Sequence, residues 1–185
     1  MTLKAPIVIE SSRLIVRPVE ERDLPALLAV NGDDEVTRFL PYASWRSLAD
    51  GRAWLERMSV LGARGESAQF VIIERESGLG IGTCLLFRYE EGSARAEMGY
   101  VLGRKYWGRG IMNDALTALI SCAFGAYSLR RIEAEVDPRN TSSARLLEKL
   151  GFTREGLLRQ RWVDKGIVHD THIFGLLRDE WHPKT

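Results

Sequence analysis

Little in this chain is reactive or extreme. Among 185 residues there are two cysteines, Cys84 and Cys122, and three histidines. Both cysteines stand in apolar stretches, where a thiol acts as a small buried hydrophobe rather than half of a disulfide or a metal pair. His169 and His172 are three residues apart in a stretch that reads as a strand. They therefore face opposite sides, which argues against a shared metal, and metal-ligand spacing occurs nowhere else. Excess charge is missing as well. The 26 basic and 25 acidic residues leave +1, which gives no electrostatic footprint for nucleic acid. No apolar run approaches membrane length, and residues 1–10 lack the apolar core of a secretion signal. The expectation is a cytoplasmic protein with no membrane partner. Repeats, low-complexity segments and linkers are absent, so residues 1–185 are expected to form a single domain with a real core.

What is present is ordered. Residues 13–17 alternate polar and apolar and predict a first strand. A short helical face over residues 20–31 follows, and Pro25 fits only its first turn, placing the start near Arg22 or Asp23. Residues 36–45 are irregular and aromatic, and residues 47–62 predict a second helix. Three strands separated by short turns, at residues 68–73, 81–89 and 94–102, read as an antiparallel meander. An apolar stripe from Met112 to Phe124 predicts a long helix reaching about Tyr127. A fifth strand over 130–137, a helix over 144–150 stopped by Gly151, and a hairpin of 152–163 and 167–177 complete the pattern. Residues 179–185 read as a tail. The expected fold is α+β, a mixed and mostly antiparallel sheet of about seven strands with about four helices.

The stretch between the fourth strand and the long helix is the chemical centre. Glycines at 103, 108 and 110 interrupt Arg104, Lys105 and Arg109, and the helix begins directly afterwards. Amides at a helix start point outward without intrahelical partners, and the positive end of the dipole lies behind them. Such a turn suits phosphate, although Gly-x-Gly also occurs as plain loop geometry. There is no Gly-Lys-Ser/Thr and no third glycine at dinucleotide spacing, which excludes a Walker loop and a Rossmann turn.

Three stretches in order resemble the GCN5-related N-acetyltransferase (GNAT) superfamily, nearest to its RimJ/RimL-like group. Lys105-Tyr-Trp-Gly-Arg-Gly110 is similar to that family's acetyl-CoA loop. Asn140-x-x-Ser143 running into Leu150-Gly151-Phe152 is similar to its second signature. Arg13-Leu-Ile-Val-Arg-Pro18 with Asp23-Leu24, and Gly166-x-x-His169-Asp170, recur in the RimJ/RimL-like group. The resemblance implies a sheet splayed between the fourth and fifth strands, with acetyl-CoA as co-substrate and no metal. The pantetheine arm would pair with Met98, Gly99, Tyr100, Val101 and Leu102. The pyrophosphate would rest on the amides of Tyr106, Trp107, Gly108, Arg109, Gly110, Ile111 and Met112. Asn140 would bond the pantetheine region, and Ser143 belongs to the same signature. Lys105 stands where Gln or Arg is usual and loses a planar donor, so contact there is expected from backbone.

Acetyl transfer to an amine needs a base, donors for the carbonyl oxygen and an acid for the leaving thiolate. Glu97 and Glu135, on the fourth and fifth strands, are the candidate bases, each alternatively a solvated or ion-paired strand residue. Many family members use a tyrosine in the helix after the fifth strand as acid; here Leu147 occupies that place. Ser143 is the next candidate, or else a plain helix cap. Phe39, Tyr42, Trp45, Trp162 and His169 could line the acceptor mouth, or simply pack. The resemblance implies acetyl transfer to the α-amine of a (ribosomal) protein or peptide N-terminus. A small amine such as a polyamine, amino-acid derivative or antibiotic is the alternative acceptor, and a non-catalytic acyl-CoA-binding module the alternative class. Dimers are common in the family, which makes a homodimer a conceivable partner by analogy.

Overall fold

Strand β3 (Ala68–Glu74) explains the layering. It is apolar without alternation, and both of its faces are covered. Phe70 and Ile72 lie in the larger core cluster, while Val71 and Ile73 lie in a second one on the opposite face. The computed structural model describes residue 3 and residues 8–183. Most of the stretch expected to lack a secretion signal, and the last two residues of the expected tail, lie outside the described residues.

Among the described residues the sheet has eight strands in the order β1-β2-β3-β4-β5-β6-β8-β7. The expected seven are all found. The addition is β1 (Ile9–Glu10), a two-residue edge against β2 (Leu14–Pro18). β4 (Gly80–Glu90) and β5 (Arg95–Leu102) continue the antiparallel meander. β6 (Arg131–Val136) runs parallel to β5, and β7 (Thr153–Asp164) and β8 (Ile167–Leu177) form the closing hairpin.

Helix α1 (Leu24–Asn31) carries Pro25 in its first turn, and buried Asp23 ahead of it receives Arg17 Nη2 at 2.7 Å. A one-turn helix, α2 (Asp34–Thr37), begins within the acidic run just before the stretch read as irregular, capped by Asp33. Ser47 and Asp50 form a capping box that starts α3 (Leu48–Ala63). α1 and α3 bury Leu24, Leu27 and Trp54 on one face of the sheet. α4 (Ile111–Phe124) lays its stripe, including Leu116, Leu119 and Ile120, on the other. It stops at Gly125, short of Tyr127. α5 (Thr141–Lys149) starts earlier than the apolar pattern suggests, because Asn140 rather than a serine is its cap. Both cysteines are free thiols, and burial pushes both up, Cys84 furthest. No described helix is long and apolar enough to cross a membrane.

One local failure of pairing creates the site. β5 and β6 pair only through Arg95↔Arg131, Ala96↔Ile132 and Glu97↔Glu133. Beyond Glu97, β5 remains paired to β4 as far as Leu102, and β6 remains paired to β8 as far as Val136. The two strands therefore diverge, leaving the β6-facing edge of residues 98–102 free of strand partners.

Candidate active site

A cavity of about 310 Å³ occupies this gap. Strand alternation divides its lining. Met98 and Tyr100 face α4 and α5, whereas Glu97 of β5 and Glu135 of β6 face the opposite side. Phe39 and Pro41 come from the segment after α2, and Trp162, Asp164 and His169 from the hairpin. That mouth is tied shut at one corner by Lys165, whose ammonium donates to the Thr37 carbonyl at 2.7 Å.

Glu97 is 8% exposed. Burial raises its pKa, opposed by Arg88, whose Nη1 donates to both carboxylate oxygens at 2.9 and 3.0 Å. Glu135 accepts from Trp162 Nε1 at 2.5 Å and lies 3.8 Å from Arg88 Nη1. On the far side of the gap the Tyr100 hydroxyl and Ser143 Oγ share a hydrogen bond of 2.7 Å. Burial pushes the phenol up to about 12, against the Ser143 bond, so it stays protonated at neutral pH. Ser143 is the third residue of α5, and its N–H donates to the Asn140 side chain at 3.2 Å.

The glycine loop leads into α4 through two left-handed residues, Gly108 at φ 72° and Gly110 at φ 74°. Gly110 offers no side chain to cap the helix, so the first amides of α4 are left to whatever lies above them. The loop's cations are half-spent. Arg104 Nε is 3.0 Å from Asp33, Arg109 Nη2 is 3.7 Å from Glu74, and Lys105 Nζ sits 4.8 Å above the Tyr106 ring. Arg13, immediately before β2, clamps the loop, bonding the Arg109 carbonyl at 3.3 Å and pairing with Asp114. Glycine geometry, uncapped amides and an unpaired strand edge together fit a long ligand with a phosphate at one end and an amide chain at the other.

The family model described as "Acetyltransferase (GNAT) domain" matches residues 13–153. The chain belongs to the GNAT family. This GNAT protein is 36% identical over 171 residues to "Uncharacterized N-acetyltransferase p20" of Bacillus licheniformis, covering 92% of this chain and 96% of the relative. Over 182 residues it is 28% identical to "[Ribosomal protein uS5]-alanine N-acetyltransferase" of Escherichia coli, covering 94% of this chain and 92% of that one. Mycobacterium smegmatis RimJ, solved in complex with CoA-disulfide, has the same fold: TM-score 0.87 at 24% identity, over 97% of this chain and 91% of that one. The protein is an N-acetyltransferase of the RimJ/RimL-like group.

Within this GNAT fold the cavity gathers Glu97, Glu135, Ser143, Asn140, Phe39, Trp162 and His169 from the sequence reading. Two expected mouth aromatics lie elsewhere. Trp45 is buried in the second core cluster with its ring centroid 5.4 Å from that of Trp54. Tyr42 donates its hydroxyl to buried Asn31 at 2.9 Å and is not part of the lining. Leu147, standing where many GNAT proteins have tyrosine, is fully buried core. His169 lines the cavity while His172 turns edge-on to Phe174, as the three-residue spacing implied. Among the described residues no metal-binding cluster occurs.

The sequence reading missed Arg88, Asp137, Asp164 and the phenol of Tyr100. Strand alternation gave no warning of Arg88, because it sits at a bulge between Phe87 and Glu90 with φ 49°. Tyr100 was considered only for its backbone.

Proposed function

We propose that this protein acetylates the α-amine of a protein or peptide N-terminus, with acetyl-CoA as donor. The observation that supports it best is the cavity where β5 leaves β6, with carboxylates on one side and a hydroxyl pair on the other. The free edge of residues 98–102 would hold the pantetheine arm, and the amides of Tyr106, Trp107, Gly108, Arg109, Gly110, Ile111 and Met112 would hold the pyrophosphate. Asn140 already gives its side-chain oxygen to cap α5, which leaves its amide group to bond the arm. The donor supplies the thioester and its leaving thiolate. Glu97 accepts the proton that the amine nitrogen sheds as it attacks. Its raised pKa makes it a stronger base than a free carboxylate. Glu135, held by the Trp162 indole, orients the amine. Ser143 Oγ, backed by the protonated Tyr100 phenol, holds a proton for the departing sulfur.

Four carboxylates line the cavity (Glu97, Glu135, Asp137 and Asp164), which also suits a small cationic amine such as a polyamine. An acceptor screen separates these readings: purified protein, acetyl-CoA, and panels of peptide N-termini and small amines, with released thiol as readout. Peptide N-termini are expected to turn over fastest, with Glu97→Gln lowering kcat/KM about 100-fold or more. Polyamine turnover without peptide turnover would transfer the function to the second reading. A Glu97→Gln rate and pH profile like the parent's would remove Glu97 as the base.

A further inference from the structure

Arg88 stands where the acceptor must go. Its backbone turns left-handed at the β4 bulge, φ 49°, and this aims the guanidinium into the cavity rather than along the sheet. The group lies 5.6 Å from the Phe87 ring centroid and 5.2 Å from that of Trp162. One nitrogen, Nη1, bonds both oxygens of Glu97 and sits 3.8 Å from Glu135. Two largely buried carboxylates and an indole face are what an alkylammonium ion would seek. Here a resident cation already fills that cage.

Resting on the acetyltransfer reading above, we propose that Arg88 is a specificity-determining residue that admits the acceptor as a free amine and turns away alkylammonium ions. The charged groups around Glu97 agree on this. Arg88 approaches from β4. Glu133 and Glu135 come from β6, but Glu133 is taken by Arg95 at 2.7 Å and Arg131 at 2.8 Å. Arg161 of β7 adds a second cation, 3.5 Å from Glu135. Along the cavity Asp137 is satisfied by Arg139, with Nε at 2.9 Å, and Asp164 by His169 at 2.9 Å. The acidic appearance of the lining is thus largely compensated, and an incoming ammonium meets Arg88 before it meets a free carboxylate.

The chemical consequence is a choice between classes of amine. At pH 7.5 about one third of an α-amine is unprotonated, against roughly one in 800 of a lysine-type amine. A site that excludes the cation therefore prefers a peptide N-terminus over a polyamine or lysine side chain by charge, independent of shape. Removing the guanidinium would open the cage to dications.

The test compares the parent with R88Q, R88K and R88G; R88G also suits the left-handed backbone and serves if R88Q is unstable. The parent is first assayed with acetyl-CoA and a peptide bearing a free N-terminus. If no peptide is acetylated, the acetyltransfer reading fails by itself. Calorimetry without donor then measures binding of 1,4-diaminobutane and of the peptide. R88Q or R88G should bind the diamine about tenfold or more tightly than the parent, with peptide affinity within about threefold, since like-charge repulsion is removed. R88K, which keeps the charge, should keep the parent's preference, and the peptide-to-diamine ratio of kcat/KM should fall only in R88Q and R88G. An unchanged ratio in R88Q and R88G, or an R88K as permissive as R88Q, overturns the proposal.

Discussion

At the scale of single residues, His169 is the side chain whose environment changes its chemistry most legibly. Nε2 lies 2.9 Å from Asp164 Oδ2, and Nδ1 lies 3.2 Å from the Asp170 carbonyl and 3.4 Å from Asp137 Oδ2. Burial lowers its pKa, but these three acceptors together raise it above the ordinary imidazole value. A folded-state pKa above the unfolded one means stability that is fully present below about pH 6.5 and lost as pH rises through the folded value. His169→Gln should therefore lower the melting temperature more at pH 5.5 than at pH 9, measured by calorimetry in matched salt. A deficit that grows toward pH 9 would mean that the imidazole is held neutral. This network also marks the limit of reading residues from sequence. His169 could be placed near the acceptor mouth through the Gly166-x-x-His169-Asp170 stretch. Its partner Asp137 is 27 residues from Asp164 and meets it only because β6 and the β7–β8 turn converge on one cavity. Glu97 and Glu135 could be placed at the cavity because each sits in a strand that the sequence pattern predicts, and the resemblance puts the fourth and fifth strands on either side of the cleft.

At the scale of elements, the loop between β5 and α4 is where backbone conformation rather than side-chain chemistry makes the site. Gly110 is left-handed at φ 74°, and a Cβ there would meet nothing nearer than Arg13 Nη2 at 3.7 Å. Alanine would fit the space but not the conformation, at a net cost of about 1 kcal/mol. Gly110→Ala should therefore melt about 2–4 °C lower than the parent. It should raise KM for acetyl-CoA while leaving kcat within about twofold, because the loop is expected to hold the donor and not the reacting atoms. A fall in kcat with KM unchanged would move the loop into the chemistry. The glycines alone were ambiguous, since Gly-x-Gly also occurs as plain loop geometry; they gained meaning from Asn140, Ser143 and Leu150-Gly151-Phe152 following in order. Element boundaries were less legible. α5 starts at Thr141 rather than 144 because Asn140 supplies the cap, and a row of polar residues does not reveal which one turns inward. Trp45 was read as a mouth aromatic because it ends the irregular aromatic stretch before the second helix, yet a Cβ on Gly51 of α3 would come within 3.0 Å of its ring. That glycine clears the space in which the indole packs against α3.

At the scale of the whole molecule, the sheet is covered on both faces over its β2–β5 half and opened at one seam. Helices α1 and α3 close one face and α4 the other, so unfolding any layer exposes a strand such as β3 that has no polar side. The alternation of short strands and amphipathic helices made this architecture legible. The seam was not legible from periodicity, since residues 98–102 and 134–136 read as ordinary strand whether or not they pair with each other; only the resemblance to a known fold supplied it. A ligand spanning the seam would replace the missing β5–β6 contacts and favour the folded state alone. At 100 times its dissociation constant, acetyl-CoA or CoA would then stabilise the fold by about 2.7 kcal/mol. For a chain of this length that is a rise of roughly 5–10 °C in melting temperature. Pantetheine alone, at equal concentration, should shift it less, because the loop amides and its arginines would have no pyrophosphate to hold. An equal shift from pantetheine would place the binding energy in the strand edge and leave the glycine loop without a phosphate to hold.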